Sequence, residues 1–314
     1  MAIDMTTVKK IMHNNKEVAK IEDSHGILWQ KPGPITITYP YMFMSNNTYL
    51  YNKDVNVEWT WTSGSPGPVS NPQGQYYWSD GTNLYYSDNN NQYVYTGSLD
   101  NYDSTKWVSK SNWPNIYGND IIKIGGALYA LNYNSGSYKY NQRTDTWDSV
   151  TITGATSGMK GDTIWTDGTD IYWNTANNKI RVLDQTTLTW GSEITVTSTN
   201  SNAYYYWTDG TDVYYSNGTT QRVWNKTSKN WSSKTWSGLN NFNGNEVFVY
   251  NGEIYARFQT GTYAFTQLVN GAWSGTRTNP LGNSNFRGAR MWDLGGRSTA
   301  NTMPWLTGLR RANK

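Results

Sequence analysis

Residues 163–174 read "TIWTDGTDIYWN", and the same phrase returns 42 positions later as "YYWTDGTDVYYS" at 205–216. An earlier copy, "YYWSDGTNLYYS", stands at 76–87. Aligning on the glycine of the phrase extends the series. Gly81, Gly126 (in "IIKIGGALYA"), Gly168, Gly210 and Gly252 (in "VFVYNGEIYA") are 45, 42, 42 and 42 residues apart. A degenerate sixth member, "RMWDLGG", places Gly295 another 43 on.

A second signature follows each of the first five copies, an alternating strand that ends at tryptophan: "YKYNQRTDTW", "IRVLDQTTLTW", "RVWNKTSKNW" and their relatives. Its tryptophans are Trp59, Trp107, Trp147, Trp190, Trp231 and Trp273, spaced 48, 40, 43, 41 and 42. In the third repeat the period divides into strand A ("DTIWT"), an Asp-Gly turn, strand B ("TDIYWN"), strand C ("KIRVLD") and strand D ("LTWGSEITV"). Asp-Gly between alternating segments predicts a two-residue type I′ hairpin, whose central residues both need positive φ. Four short strands per 40 to 45 residues is the size of one β-propeller blade. The first Trp unit has no DGT phrase before it and the last DGT-like phrase has no Trp unit after it. That offset predicts an all-β, six-bladed propeller, with seven blades as the alternative. "FRGARMWDL" would supply strand A of the closing blade, and the segment ending at Trp59 strands B, C and D, so that both chain ends seal the ring and remove two exposed edges.

The hairpin-then-"Y-x-Y-N…T-x-T-W" order resembles the kelch and galactose-oxidase type of propeller over about residues 35–297, with Asp-Gly where kelch repeats have paired glycines. The Asp-box spacing of sialidase propellers is not met, because Trp precedes Asp-Gly here.

Composition supports a β-rich reading. The 17 Trp and 25 Tyr against 6 Phe suit pleated surfaces on which ring edges reach polar partners. A net charge of +3 without a basic stripe argues against nucleic acid, and no apolar run approaches the length of a membrane span. The absence of cysteine excludes disulfides and thiolate metal sites. The only histidines are His13 and His25. The propeller segment therefore cannot assemble a Ser-His-Asp triad or the copper site of galactose oxidase. No cofactor and no metal are expected.

Residues 1–32 read differently. "TVKKIMHNNKEVAKIEDSHGILWQK" predicts a three-stranded β meander turning at "HNNKE" and "DSHG", too small to be stable alone; residues 33–314 would form the propeller. The segment resembles an N-terminal module of bacteriophage tail and other virion proteins, with the shape "V-K-K-I…K-E-V…I-x-D-S-x-G-x-I-L-W-Q-K". The resemblance implies an attachment module, with Lys9, Lys10, Ile27 and Trp29 facing other virion proteins. It also implies a virion location after synthesis in the host cytoplasm, in keeping with the lack of a signal peptide. A homo-oligomer is compatible with this reading.

Asp80, Asp167 and Asp209 are expected to be turn residues. Asp120, Asp162 and Glu246, just before strand A, are the carboxylates a glycan hydrolase or lyase would use. With no complete catalytic constellation, the chain is expected not to be an enzyme. In a four-stranded blade the B–C and D–A connections share one face, and here that face carries the long segments, rich in Asn, Ser, Thr and Gly. Trp113 with Tyr117, and Trp236 with Phe242, are the candidate ligand-binding aromatics there, for a host-surface carbohydrate or protein. The competing reading is that these rings fill gaps between blades. A purely structural virion component is the alternative function.

Overall fold

The computed structural model describes residues 62–279 apart from 64–66, 71, 73–75, 81–82, 99–101, 133, 135, 198–204, 251–252 and 258–263, and the backbone of short strands on either side. The chain divides into two compact units, Met1–Thr38 and Tyr39–Lys314.

The second unit is an all-β propeller. Blade I has strands A to D at Tyr77–Ser79, Leu84–Ser87, Gln92–Tyr95 and Trp107–Ser109. Blade II runs through Ile121–Ile124, Ala127–Asn132, Gly136–Asn141 and Thr146–Val150. Blade III comprises Ile164–Thr166, Ile171–Ala176, Lys179–Asp184 and a split outer edge, Thr189–Trp190 and Ile194–Thr195. Blade IV comprises Tyr206–Thr208, Val213–Asn217, Thr220–Asn225 and Asn230–Ser233. Blade V comprises Val247–Tyr250, Glu253–Arg257, Phe265–Val269 and Ala272–Arg277. Within these blades every ladder is antiparallel and joins consecutive strands, except that Ile194–Thr195 pairs back with Lys179–Asp184.

Among the described residues the blades number five, which corrects the expectation of six or seven. A further sheet does join the two ends of the chain: Met291–Asp293 pairs with Tyr41–Ser45, which pairs with Thr48–Asn52. It departs from the blade pattern, because Arg297–Ser298 adds to the free side of Met291–Asp293. The expected fourth strand, ending at Trp59, lies outside the described residues.

The repeated phrase also folds differently from the predicted two-residue hairpin. Thr166 pairs with Ile171, Thr208 with Val213 and Ser79 with Leu84, so the A–B connections are four-residue loops. Gly168 and Gly210 have φ of 89° and 96°, whereas the aspartates before them are not in the positive-φ region. The aspartate serves instead as an acceptor. Asp167 Oδ1 takes the backbone N–H of Thr169 and Asp170, both at 2.9 Å, and Asp209 Oδ1 does the same for Thr211 and Asp212. This is the Asx-turn chemistry by which a short acidic side chain replaces a backbone acceptor. Two-residue turns occur where the aspartate is missing: Gly125 and Gly126 link Ile124 to Ala127 with φ of 54° and 90°.

The core lies in the seams between blades, where the D-strand tryptophans Trp147, Trp231 and Trp273 pack on Trp78, Trp165 and Trp207 of strand A in the blade before. Trp165, fully buried, stacks on Tyr172 at 4.3 Å and on Tyr206 at 5.1 Å, with Trp224 and Trp231 at 5.0 and 5.3 Å. Such offset and edge-on rings gain about 0.5–1.5 kcal/mol per pair beyond the area they bury.

The approach to strand A is a single 3-10 turn opened by glycine: Gly118, Gly161 and Gly244. Each glycine lies against backbone of the preceding blade; a Cβ on Gly161 would stand 2.0 Å from Asp120 Cα. Because backbone cannot step aside, Gly161→Ala is expected to destabilise by at least the roughly 1–3 kcal/mol of an overpacked core. A denaturant midpoint within error of the parent would show that the blades can separate there at no cost.

Among the described residues of the first unit, Met12–His13 pairs with Lys16–Glu17, and Lys20–Asp23 pairs with Gly26–Gln30. Ile27 and Trp29 lie on the last of these strands; Lys9 and Lys10 lie outside the described residues.

Candidate functional site

The chemistry-bearing side chains fall into three groups. The first is the phrase itself. Each of its tryptophans donates its indole N–H to the residue nine positions on: Trp78 to Ser87, Trp165 to Asn174 and Trp207 to Ser216, at 2.8 to 3.1 Å. The second carboxylate oxygen of each aspartate accepts the tyrosine hydroxyl five positions on: Asp80 from Tyr85 (3.0 Å), Asp167 from Tyr172 (2.9 Å) and Asp209 from Tyr214 (2.9 Å). Burial, then the charge of Asp167, holds the Tyr172 hydroxyl well above the usual tyrosine range. Across the seam, Trp224 Nε1 reaches Asp167 Oδ2 at 3.2 Å and Lys229 Nζ reaches Asp170 at 3.0 Å.

Burial alone would push the Asp167 carboxyl up. Two backbone N–H groups, the Tyr172 hydroxyl and the Trp224 indole outweigh it, and the carboxyl is held below the usual aspartate value. A depressed folded value means that this stabilisation is present above the unfolded value of about 3.9 and is lost as pH falls through the folded one. Asp167→Asn is therefore expected to lose stability at pH 7 and to show a flatter acid limb than the parent. Melts from pH 7 to pH 2 test this; equally steep acid limbs would remove Asp167 from the acid response.

The second group is the carboxylates before strand A. Asp120 is buried and accepts the Gly161 N–H at 2.9 Å and the Asn132 amide at 2.7 Å. Glu246, also buried, pairs with Arg257 and accepts the Asn243 N–H at 3.0 Å. Both carboxylates tie the blade scaffold together. The Asp162 side chain lies outside the described residues.

The third group is the loop aromatics, and here the expectation of a ligand platform is corrected. Trp113, Trp236 and Phe242 are 6%, 4% and 2% exposed. They turn inward from the D–A connections. Trp113 packs on Trp78, Tyr85 and Tyr140 and donates to the Asp145 carbonyl of the next blade at 2.9 Å. Trp236 and Phe242 pack on Trp207 and Trp273. Their polar surroundings in the sequence concealed the apolar seam waiting in the next blade. Tyr117 is half-buried, its ring 5.7 Å from that of Tyr76.

Two lysines were passed over by the sequence reading. Lys110 and Lys234 each stand three residues after a D-strand tryptophan, and their N–H groups bond to the Gln92 and Gln221 carbonyls. Their ammonium groups lie over Trp113 (5.7 Å) and Trp236 (4.4 Å). The shared Trp-x-x-Lys spacing was the available signal. Among the described residues no group of three or more His, Cys, Asp or Glu is arranged to hold a metal, and no helix is long and apolar enough to cross a membrane.

The ladders and seams define a β-propeller. No protein-family model matches the chain, and no curated protein does. Solved structures similar to it include a protein of unknown function from Bacteroides caccae, at 9% identity and a TM-score of 0.42, covering 79% of this chain and 97% of that one. Another is the extracellular domain of a hybrid two-component system from B. thetaiotaomicron, at 16% identity and a TM-score of 0.43, covering 82% of this chain and 32% of that one. A third is YCF48 bound to a D1 peptide, at 12% identity and a TM-score of 0.38, covering 67% of each chain.

Proposed function

We propose that the chain is a non-enzymatic binding protein of a bacteriophage particle. Residues 1–32 attach to other virion proteins, and the propeller offers its polar B–C and D–A loops to a protein or glycan on the host surface. The observation that supports a binding role over catalysis is the commitment of the conspicuous carboxylates to the scaffold: Asp167 to four donors, Asp120 to two, Glu246 to Arg257 and a backbone N–H. The virion assignment rests on the N-terminal pattern, and the kelch-type assignment of the repeat is part of the same proposal.

One observation favours the structural alternative, a component that packs only against other viral proteins. With Trp113, Trp236 and Phe242 buried, sugar stacking on those rings is not available. The deciding measurement is binding of the fluorescently labelled full chain to a panel of intact bacteria. Saturable binding that survives Trp29→Ala, while that substitution prevents incorporation into particles, is the expected result. Incorporation without binding to any cell surface would favour the structural component. Neither incorporation nor binding would overturn the virion reading.

A further inference from the structure

In blades II and IV the residue two positions before the D-strand tryptophan pairs with a charge of the preceding blade. In blade II it is Asp145 (φ 54°), whose carboxylate pairs with Lys110 of blade I and accepts the Tyr140 hydroxyl at 2.8 Å. In blade IV it is Lys229 (φ 48°), paired with Asp170 of blade III. In blade III it is Leu188 (φ 53°), where blade II offers the Gly125–Gly126 turn and has Val150 in the place of Lys110. The seam residue thus matches the charge it meets.

In blade V the same place is taken by Gly271 (φ 77°), around which a Cβ would meet nothing within 4 Å. Yet blade IV presents both charges: Lys234 stands where Lys110 does, and Asp212 where Asp170 does. Both are half-buried. Among the described residues no carboxylate lies within 4.0 Å of the Lys234 ammonium and no cation within 4.0 Å of Asp212. Leu268 occupies the place of Tyr140, so the chain of polar groups that runs from Lys110 through Asp145 and Tyr140 to Tyr85 has its two ends here without its middle. The Lys234 ammonium is 5.8 Å from the Tyr214 ring, whose hydroxyl bonds to Asp209 and interacts with Asp212.

We propose that the seam between blades IV and V binds a ligand carrying both a carboxylate and an ammonium group, the carboxylate on Lys234 and the ammonium toward Asp212 and Asp209. The two halves of this chemistry already occur in the molecule, as Asp145 on Lys110 and as Lys229 on Asp170. Partly desolvated charged hydrogen bonds of this kind are stronger than neutral ones, and the site stands independently of the virion reading.

The test is titration of the full chain with glycine, 3-aminopropanoate, 4-aminobutanoate and 6-aminohexanoate, followed by calorimetry and tryptophan fluorescence. Acetate and butylamine serve as single-charge controls. One chain length is expected to saturate the protein, with each control weaker by about tenfold or more. Lys234→Gln is expected to abolish the response and Lys234→Arg to retain it. Gly271→Asp supplies a carboxylate where Asp145 has one and is expected to block binding. No saturable response to any member, an equal response to the controls, or an unchanged response in Lys234→Gln would each overturn the proposal.

Discussion

Trp165→Ala is expected to destabilise the propeller by about 3–5 kcal/mol, the range for truncating a buried tryptophan. Its ring is fully buried, and it touches aromatic partners from its own blade and the next: Tyr172, Tyr206, Trp224 and Trp231. The cavity would open in the middle of a seam bounded by two hydrogen-bonded sheets that cannot collapse inward without breaking ladders, which places the cost at the high end. Removing the indole also leaves Asn174, itself buried, without the N–H that its side-chain oxygen accepts. Trp165→Phe keeps most of the stacking and should cost clearly less. Urea unfolding of the three proteins checks this; a penalty below about 1 kcal/mol for alanine would mean that the seams do not carry the fold.

Glu246→Ala is the second large effect, and it acts through charge. Arg257 and Glu246 are 1% and 2% exposed, and their pairing is the buried ion pair of the described residues. Taking away the carboxylate leaves a guanidinium in the interior without that counter-charge, for a cost of about 3–5 kcal/mol. The same principle predicts that the double variant Glu246→Gln with Arg257→Leu recovers most of the loss, because both charges leave together while glutamine can still accept the Asn243 N–H. Equal destabilisation of the single and double variants would assign the effect to packing and not to charge.

The buried pair also shows what the repeat had encoded. Arg257 falls at the repeat position held by Ser87, Asn174 and Ser216, which accept the indole N–H of the strand-A tryptophan. In blade V that tryptophan is replaced by Phe248, which has no N–H, and in blade II by Ile122, whose B-strand counterpart is Leu131. Comparing the repeats column by column would have found this covariation. The glycine three residues before strand A, at 118, 161 and 244, was legible in the same way and was overlooked.

The existence of blades, their period and their strand order could be read because the alternation and the turn residues are local. The pairing of the two chain ends could be read from the offset of the two signatures. The blade count could not, because a closing sheet is fixed by edges that sequence spacing does not describe. The four-residue loop was missed because Asp-Gly suggests a tight turn, whereas the Thr-Asp or Thr-Asn pair after the glycine extends it and the first aspartate caps it. The aromatic loop residues were misplaced because a tryptophan among asparagines reads as exposed until the neighbouring blade is present to cover it.

The pairing of Phe43 with Met291 has a consequence for how the chain is made. Tyr41–Ser45 leaves the ribosome about 250 residues ahead of its partner. At ordinary elongation rates that is a wait on the order of 10–50 s, during which one side of an early strand has no native neighbour. Blades I to V, built from consecutive hairpins, can each form as they emerge. Synthesis is therefore ordered in time: the five self-contained sheets can form before the sheet that waits for Met291–Asp293, which leaves an open strand edge exposed to other nascent chains until then.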